Sequence, residues 1–237
     1  MSDILAVIYS YDRYELLAQS LKSMFENPGM DFRLWVVENG SYHSKVYGEM
    51  EGLHQLKLLI DYYRMGRIET LILNQINMGV HYSINQLMAL AKITAAEPYR
   101  NIPDFIFATN DDMIYEPNWL LETYNTLLET EDYPKGKVII SSPFHCIHSG
   151  REIPTIDTYK GYKIKNSICG NTWFMRSDTW LNTFGYYPMN IMNDGGDCSK
   201  LDVMNSLGYH GVMTKTEFAH HHSEAIGRGK YARSGNW

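Results

Sequence analysis

The sequence is short of cysteine, short of basic charge, and without any long apolar run. Its three cysteines, Cys146, Cys169 and Cys198, are an odd number at wide spacing. They make neither a disulfide framework nor a CxxC metal pair, so reduced, partly buried thiols are expected. Lysine and arginine total 21 against 27 aspartates and glutamates, a net charge of −6. That balance argues against a dedicated nucleic-acid binder, which carries a basic excess, though not against a local basic patch. No apolar stretch approaches the ~18 residues needed to cross a bilayer. The opening MSDILAVIYSYDR has neither the basic region nor the cleavage site of a signal peptide. A cytoplasmic protein without integral membrane association is the expectation. The first expected strand runs into Ser-Tyr-Asp-Arg instead of a GxGxxG turn, which disfavours a dinucleotide oxidoreductase. Neither GxxxxGK[ST] nor GxSxG occurs, which disfavours a P-loop NTPase and a nucleophile-elbow hydrolase.

What is present points to an α/β chain. Of 237 residues, 44% are hydrophobic and 20% charged, enough for a filled globular core. Up to residue 142, short apolar runs alternate with helical periodicity. Strands are expected at Ile4–Tyr9, Phe32–Val37, Ile68–Leu73, Asp104–Thr109 and Lys137–Ser141. Helices are expected at Tyr14–Phe25, Leu53–Tyr63, His81–Ala96 and Asn118–Leu128, with Asn27-Pro28-Gly29 and Pro98 as stops. This alternation predicts a mainly parallel central sheet with helices on both faces. Ligands of such sheets bind beyond the carboxyl ends of the strands. Ser10–Arg13, Glu38–Ser41, Asn74–Gly79 and Asn110–Asp112 all follow expected strands and gather at that edge. Further on, 143–165 reads as a hairpin-like insertion, Asn171–Met175 as a strand and Ser177–Leu181 as a short helix. Asp197–Leu207 reads as a helix stopped by Gly208, and Val212–Ala219 as a last strand. Without a repeat or linker, 1–237 counts as a single domain.

The acidic turn Asn110-Asp111-Asp112 carries the strongest chemical signal. Adjacent carboxylates at the end of an apolar strand repel each other unless a cation or donor compensates. Mg²⁺ and Mn²⁺ are often held by one or two carboxylates plus substrate phosphates. The same acids would also serve as a helix N-cap. His145, Cys146 and His148 lack the second half of a zinc motif.

The context of the turn bears on that choice. FATNDDMIYEPNWL resembles the strand-turn-helix around the DxD-type motif of family 2 inverting glycosyltransferases of the GT-A fold, with Pro117 five residues after Asp112. AVIYSYDRYELLAQSLKSM, WVVENGS and LNQINMGVHYSIN are similar, in order, to the family's opening strand and helix, its second strand and turn, and its Asn-x-Gly segment. ICGNTWFMRSDTW and NDGGDCSKLDVMNSLGYH resemble its acceptor-side strand and helix, and FAHHHSEAIG its closing histidine segment.

The resemblance implies a GT-A (Rossmann-like) fold with a nucleotide-sugar-binding half over 1–142. A small acceptor-side half over 143–222 and a basic tail over 223–237 would follow. It also implies a metal-dependent, inverting transferase moving a sugar from a nucleoside-diphosphate sugar, UDP-sugar favoured, to an acceptor hydroxyl on a glycan. A hydroxylated DNA base as acceptor, or a non-catalytic sugar-nucleotide-binding protein, are the alternatives. Asp112 takes the metal-binding place, with Mn²⁺ or Mg²⁺ as cofactor. Alternation along an extended chain puts His220 and His222 on one face as further ligands and turns His221 away. Asp197, or Asp194 two glycines earlier, takes the catalytic-base position. Ser10, Tyr11, Arg13, Glu38, Asn77, Gly79, Asn85, Asn110 and Asp111 fall on donor-binding places. Charge placement alone, and not the resemblance, suggests that Arg228, Lys230 and Arg233 fold over the diphosphate once donor binds.

Overall fold

The computed structural model describes residues 2–43, 49–96, 102–145, 147–148, 151–168, 172–186 and 203–221. A parallel set opens the chain: β1 (Ile4–Ser10), β2 (Arg33–Glu38), β3 (Thr70–Leu73) and β4 (Phe105–Asn110), separated by α1 (Tyr14–Phe25), α2 (Glu49–Arg64) and α3 (Val80–Ala96). β1 lies between β2 and β4, in parallel register with both. Every residue of β1 but Tyr9 is buried, so both faces of this central strand are covered and its apolar run is continuous.

A short β5 (Met113–Tyr115) follows the acidic turn and leads to α4 (Trp119–Thr130) and β6 (Lys137–Ser142). A small hairpin, β7 (Ile147–His148) with β8 (Arg151–Glu152), precedes β9 (Thr155–Tyr159), β10 (Tyr162–Lys165) and β11 (Thr172–Arg176). β12 (Tyr209–Met213) and β13 (Ala219–His221) complete the described strands. The main sheet has nine strands in the order β3-β2-β1-β4-β11-β6-β12-β10-β9. Only β11 and β10 run against the rest, so the sheet is mainly parallel. Among the described residues, no helix is long and apolar enough to cross a membrane.

The start of α4 is held without a side-chain cap. Its first N–H groups are satisfied by the loop after α1: Asn118 N–H donates to Asn27 O at 2.7 Å, and Leu120 and Leu121 N–H to Pro28 O at 3.2 Å. Gly29 closes this loop at φ +84°, and a Cβ there would lie 2.7 Å from Leu121 Cβ. The buried Trp119 indole N–H donates to Met24 O at 3.1 Å, which fixes α4 against α1.

Three expectations need correction. Residues 143–165 are no mere insertion, because β9 and β10 extend the main sheet, β10 pairing Ile164 with Val212 and Lys165 with Gly211. The stretch Val212–Ala219 is two strands. Its middle turns where Thr214 Oγ1 donates to Thr216 O at 2.6 Å, and β13 leaves the main sheet to pair with β5. The short helix expected over Ser177–Leu181 begins where expected, with 177–178 α-helical, but continues as a wider π-helical turn at Thr179–Phe184, ended by Gly185 at φ +60°. Of the helix expected over Asp197–Leu207, residues 203–206 are helical and 197–202 lie outside the described residues.

Candidate functional site

The carboxyl ends of β1 to β4 meet in one set of turns. Asn39 N–H donates to Ser10 O and Asn74 N–H to Glu38 O, both at 2.9 Å, so the chain leaving β1, β2 and β3 is stitched together. Gly40, at φ +84°, lets the 74–79 loop rest on this turn, where a Cβ would lie 2.6 Å from the Ile76 carbonyl carbon. Tyr9, Ser10, Tyr11, Asn39, Asn77, Gly79 and Val80 line an open cleft. Four of these seven, Ser10, Tyr11, Asn77 and Gly79, are residues expected at the donor.

Beneath the cleft lies a hub that the sequence conceals. Gln55, fully buried in α2, donates through Nε2 to Ser10 Oγ at 3.0 Å and Ser41 Oγ at 2.8 Å, and accepts from Arg13 N–H at 2.8 Å. Asn39 accepts from Met78 N–H at 3.2 Å and donates to Asn77 Oδ1 at 2.6 Å. Gly79 N–H donates to that same Asn77 oxygen at 2.8 Å, so the amide is locked. Asn39 is therefore the second-strand turn residue at the cleft. Glu38 is not: its fully buried carboxylate accepts the N–H groups of Gly40 at 3.0 Å and Ser41 at 2.7 Å, closing its own turn. Burial pushes Glu38 above the usual carboxylate range, against those hydrogen bonds. Asn85 stands half-buried in α3 and is not among the cleft residues, and Asn110 accepts a hydrogen bond from the Tyr9 hydroxyl.

At the acidic turn, Asp111 and Asp112 are each 4% exposed. Asp111 Oδ2 accepts from Ser10 Oγ at 2.9 Å and Tyr11 N–H at 3.3 Å, while its Oδ1 lies 3.5 Å from Arg13 Nη1. The same guanidinium nitrogen reaches Asp112 Oδ2 at 2.6 Å. Two like charges ~4 Å apart repel by about 4 kcal/mol at an intermediate dielectric, which explains why a cation bridges them. Burial, then the charge of Asp112, push the Asp111 carboxyl up to about 6 against the opposing pull of Arg13. Burial presses Asp112 the same way, but the hydrogen bond from His221 and the charges of Arg13 and His221 outweigh it and hold Asp112 below the usual range.

The antiparallel pair β5–β13 brings the closing histidines here, with His221 opposite Met113. His221 Nε2 lies 3.2 Å from Asp112 Oδ2. His220 points the other way, 3.4 Å from Glu116 and 3.5 Å from Glu217. Alternation therefore holds, but the face toward Asp112 is that of His221, a correction that follows from strand register. His222, Asp194, Asp197, Arg228, Lys230 and Arg233 lie outside the described residues.

The donor set suits a hard divalent ion in one respect: Asp112 Oδ1 is buried and has no hydrogen-bond partner among the described residues. Among the described residues, no three His, Cys, Asp or Glu side chains group into a complete metal cage. Asp112 and His221 thus offer part of a coordination shell, the kind that substrate phosphates complete.

A scan against protein-family models and a search of curated proteins find no match. Solved structures do match. Staphylococcus aureus TarS, a GT-A-like glycosyltransferase, superposes with TM-score 0.60 at 12% identity over 92% of this chain and 36% of its own. Residues 1–349 of TarS in complex with UDP give 0.60 at 12%, over 92% and 59%. The mannosyltransferase PcManGT from Pyrobaculum calidifontis in complex with GDP-Man and Mn²⁺ gives 0.56 at 12%, over 90% and 55%.

The chain has the GT-A glycosyltransferase fold. It spans 36% to 59% of the lengths of these three chains. In the GT-A frame, the lined cleft sits past β1, β2 and β3, and the acidic turn past β4, at the strand-end crevice where open α/β sheets bind ligands.

Proposed function

We propose that the protein is a metal-dependent, inverting glycosyltransferase. It moves a sugar from a nucleoside-diphosphate sugar, with UDP-sugar favoured, to an acceptor hydroxyl on a glycan. The observation that carries this reading is the orphaned, buried Oδ1 of Asp112 beside a strand-end cleft in a GT-A fold. A structural neighbour holding GDP-Man and Mn²⁺, and another holding UDP, support the donor class.

In this reading Tyr11, Asn77 and the cleft around them hold base and ribose. Asp112 and His221 would hold Mn²⁺ or Mg²⁺, which when bound would supply positive charge to offset that developing on the leaving diphosphate. Asp111 keeps Ser10 and Tyr11 at the donor through its hydrogen bonds. Asp197, or Asp194, takes the proton of the attacking hydroxyl. Attack from the face opposite the leaving group then inverts the anomeric centre.

Hydrolysis of UDP-sugar with Mn²⁺ tests the reading on wild type, Asp112→Ala and Asp197→Asn. We expect Asp112→Ala to lose at least a hundredfold in turnover, and Asp197→Asn to lose transfer while still binding donor. Undiminished hydrolysis by Asp112→Ala would remove the metal from the mechanism. An inert wild type that still binds donor would leave a non-catalytic sugar-nucleotide-binding protein.

A further inference from the structure

Arg13 occupies the place where the proposed chemistry needs a metal. Its Nη1 bridges both acids of the turn, 2.6 Å from Asp112 and 3.5 Å from Asp111. Those acids are almost wholly buried, while the Arg13 side chain is 26% exposed. The backbone beneath it is fixed: Arg13 N–H donates to Gln55 Oε1, Asp12 N–H to Ser41 Oγ, and Arg13 O accepts from Leu17 N–H, all at 2.8 Å. The base of the side chain therefore stays put, and the long side chain beyond it gives the guanidinium its reach.

We propose that Arg13 is an internal counter-cation that holds the metal's place at Asp112 until a diphosphate draws it away, so that metal and nucleotide enter together. The inference rests on the reading of Asp112 as a metal ligand, and it adds the order of events. Asp112 Oδ2 is already shared by Arg13 and His221, and Oδ1 is buried without a hydrogen-bond partner among the described residues. A divalent ion arriving there alone meets the guanidinium at close range and finds an incomplete shell. A diphosphate reverses both disadvantages. Its oxygens match the guanidinium fork, which draws Arg13 off the carboxylates. They also supply the ligands that the described residues lack. Each partner thus lowers the cost of the other, and the coupling is reciprocal.

Titration of Mn²⁺ into the full chain, with and without UDP, tests this on wild type, Arg13→Gln and Arg13→Lys. Wild type is expected to bind Mn²⁺ weakly alone and far more tightly with UDP. Arg13→Gln should bind Mn²⁺ alone at least tenfold more tightly than wild type, bind metal-free UDP more weakly, and lose at least tenfold of the coupling. Should that variant fail to fold, Arg13→Lys carries the test. Its ammonium is a point charge without the fork that fits a diphosphate, so the coupling should fall at least threefold. Equal Mn²⁺ affinity and unchanged coupling in the folded variants would overturn the role of Arg13 while leaving the metal reading intact. Absence of Mn²⁺ binding in every form, with UDP present, would overturn the metal reading and this proposal together.

Discussion

Asp111 and Asp112 are neighbours with equal exposure, yet their protons are held in opposite senses. The difference lies in what faces each carboxyl group. Asp111 meets the Ser10 hydroxyl, the Tyr11 N–H, Arg13 Nη1 at 3.5 Å and the charge of Asp112, and burial wins. Asp112 meets Arg13 at close range and His221, and the charges win. A carboxyl raised from the ordinary 3.8 to about 6 makes the fold bind more protons than the unfolded chain across that window. Stability on its account is full below pH 3.8 and is lost as pH rises through 6. Asp112 contributes with the opposite sign, and its share disappears as pH falls below the ordinary carboxylate range. Asp111→Asn removes the first effect, and the Asn oxygen can still accept from Ser10 and Tyr11. We therefore expect the metal-free variant to gain on wild type by about 1 kcal/mol between pH 5 and pH 7. Urea unfolding at the two pH values measures it, and a constant difference between the proteins would contradict the opposed pair.

At the scale of elements, the loop after α1 does for α4 what a capping side chain does elsewhere. Asn27 and Pro28 carbonyls take the first N–H groups of the helix, so α4, and with it the end of β5, is positioned by a segment ninety residues earlier. Gly29→Ala forces a Cβ to within 2.7 Å of Leu121 Cβ at a left-handed φ, and should cost about 2 kcal/mol. Asn118 also stands at positive φ, 66°, and makes no side-chain cap, so Asn118→Gly should be neutral or slightly stabilising. Thermal unfolding of the two variants separates a cap made by the loop from one made by the Asn118 side chain.

The same scale explains what the sequence made legible. β1, β2 and β4 are near-continuous apolar runs because both their faces are buried, and the helices between them keep a clear 3.6-residue period. β5 has three residues, too few for any period, and β9 (TIDTY) is an edge strand with largely exposed residues that reads as loop. The acidic turn is visible because Asp-Asp after a strand is chemically unusual. Glu38 and Asn39 are adjacent polar turn residues, and only the hydrogen bonds of the turn decide which one meets the cleft. Gln55 sits mid-helix among leucines and gains its role from packing alone, as His221 gains its role from the β5–β13 register.

For the whole molecule, the β5–β13 pair closes a long circuit. Tyr9, Ser10, Tyr11, Asn39, Asn77, Gly79 and Val80 line the cleft, while the partner of Asp112 across that pair is His221, far along the chain. A metal-nucleotide pair held between them ties both ends of the described chain into one unit, so its binding should raise the global midpoint. At a hundredfold excess over Kd, linkage adds about 2.7 kcal/mol. For a chain of 237 residues, that corresponds to a shift of roughly 5–10 °C. We expect one of the UDP-, GDP-, CMP- or dTDP-sugars to give this shift with Mn²⁺, UDP-sugar first, and Asp112→Ala to remove the Mn²⁺-dependent part. Hydrogen exchange should slow in β5 and β13 under the same conditions, and stay unchanged in β9 and β10 at the far edge of the sheet. A midpoint raised equally in wild type and Asp112→Ala, with no protection of β13, would place the nucleotide in the cleft but separate it from the acidic turn.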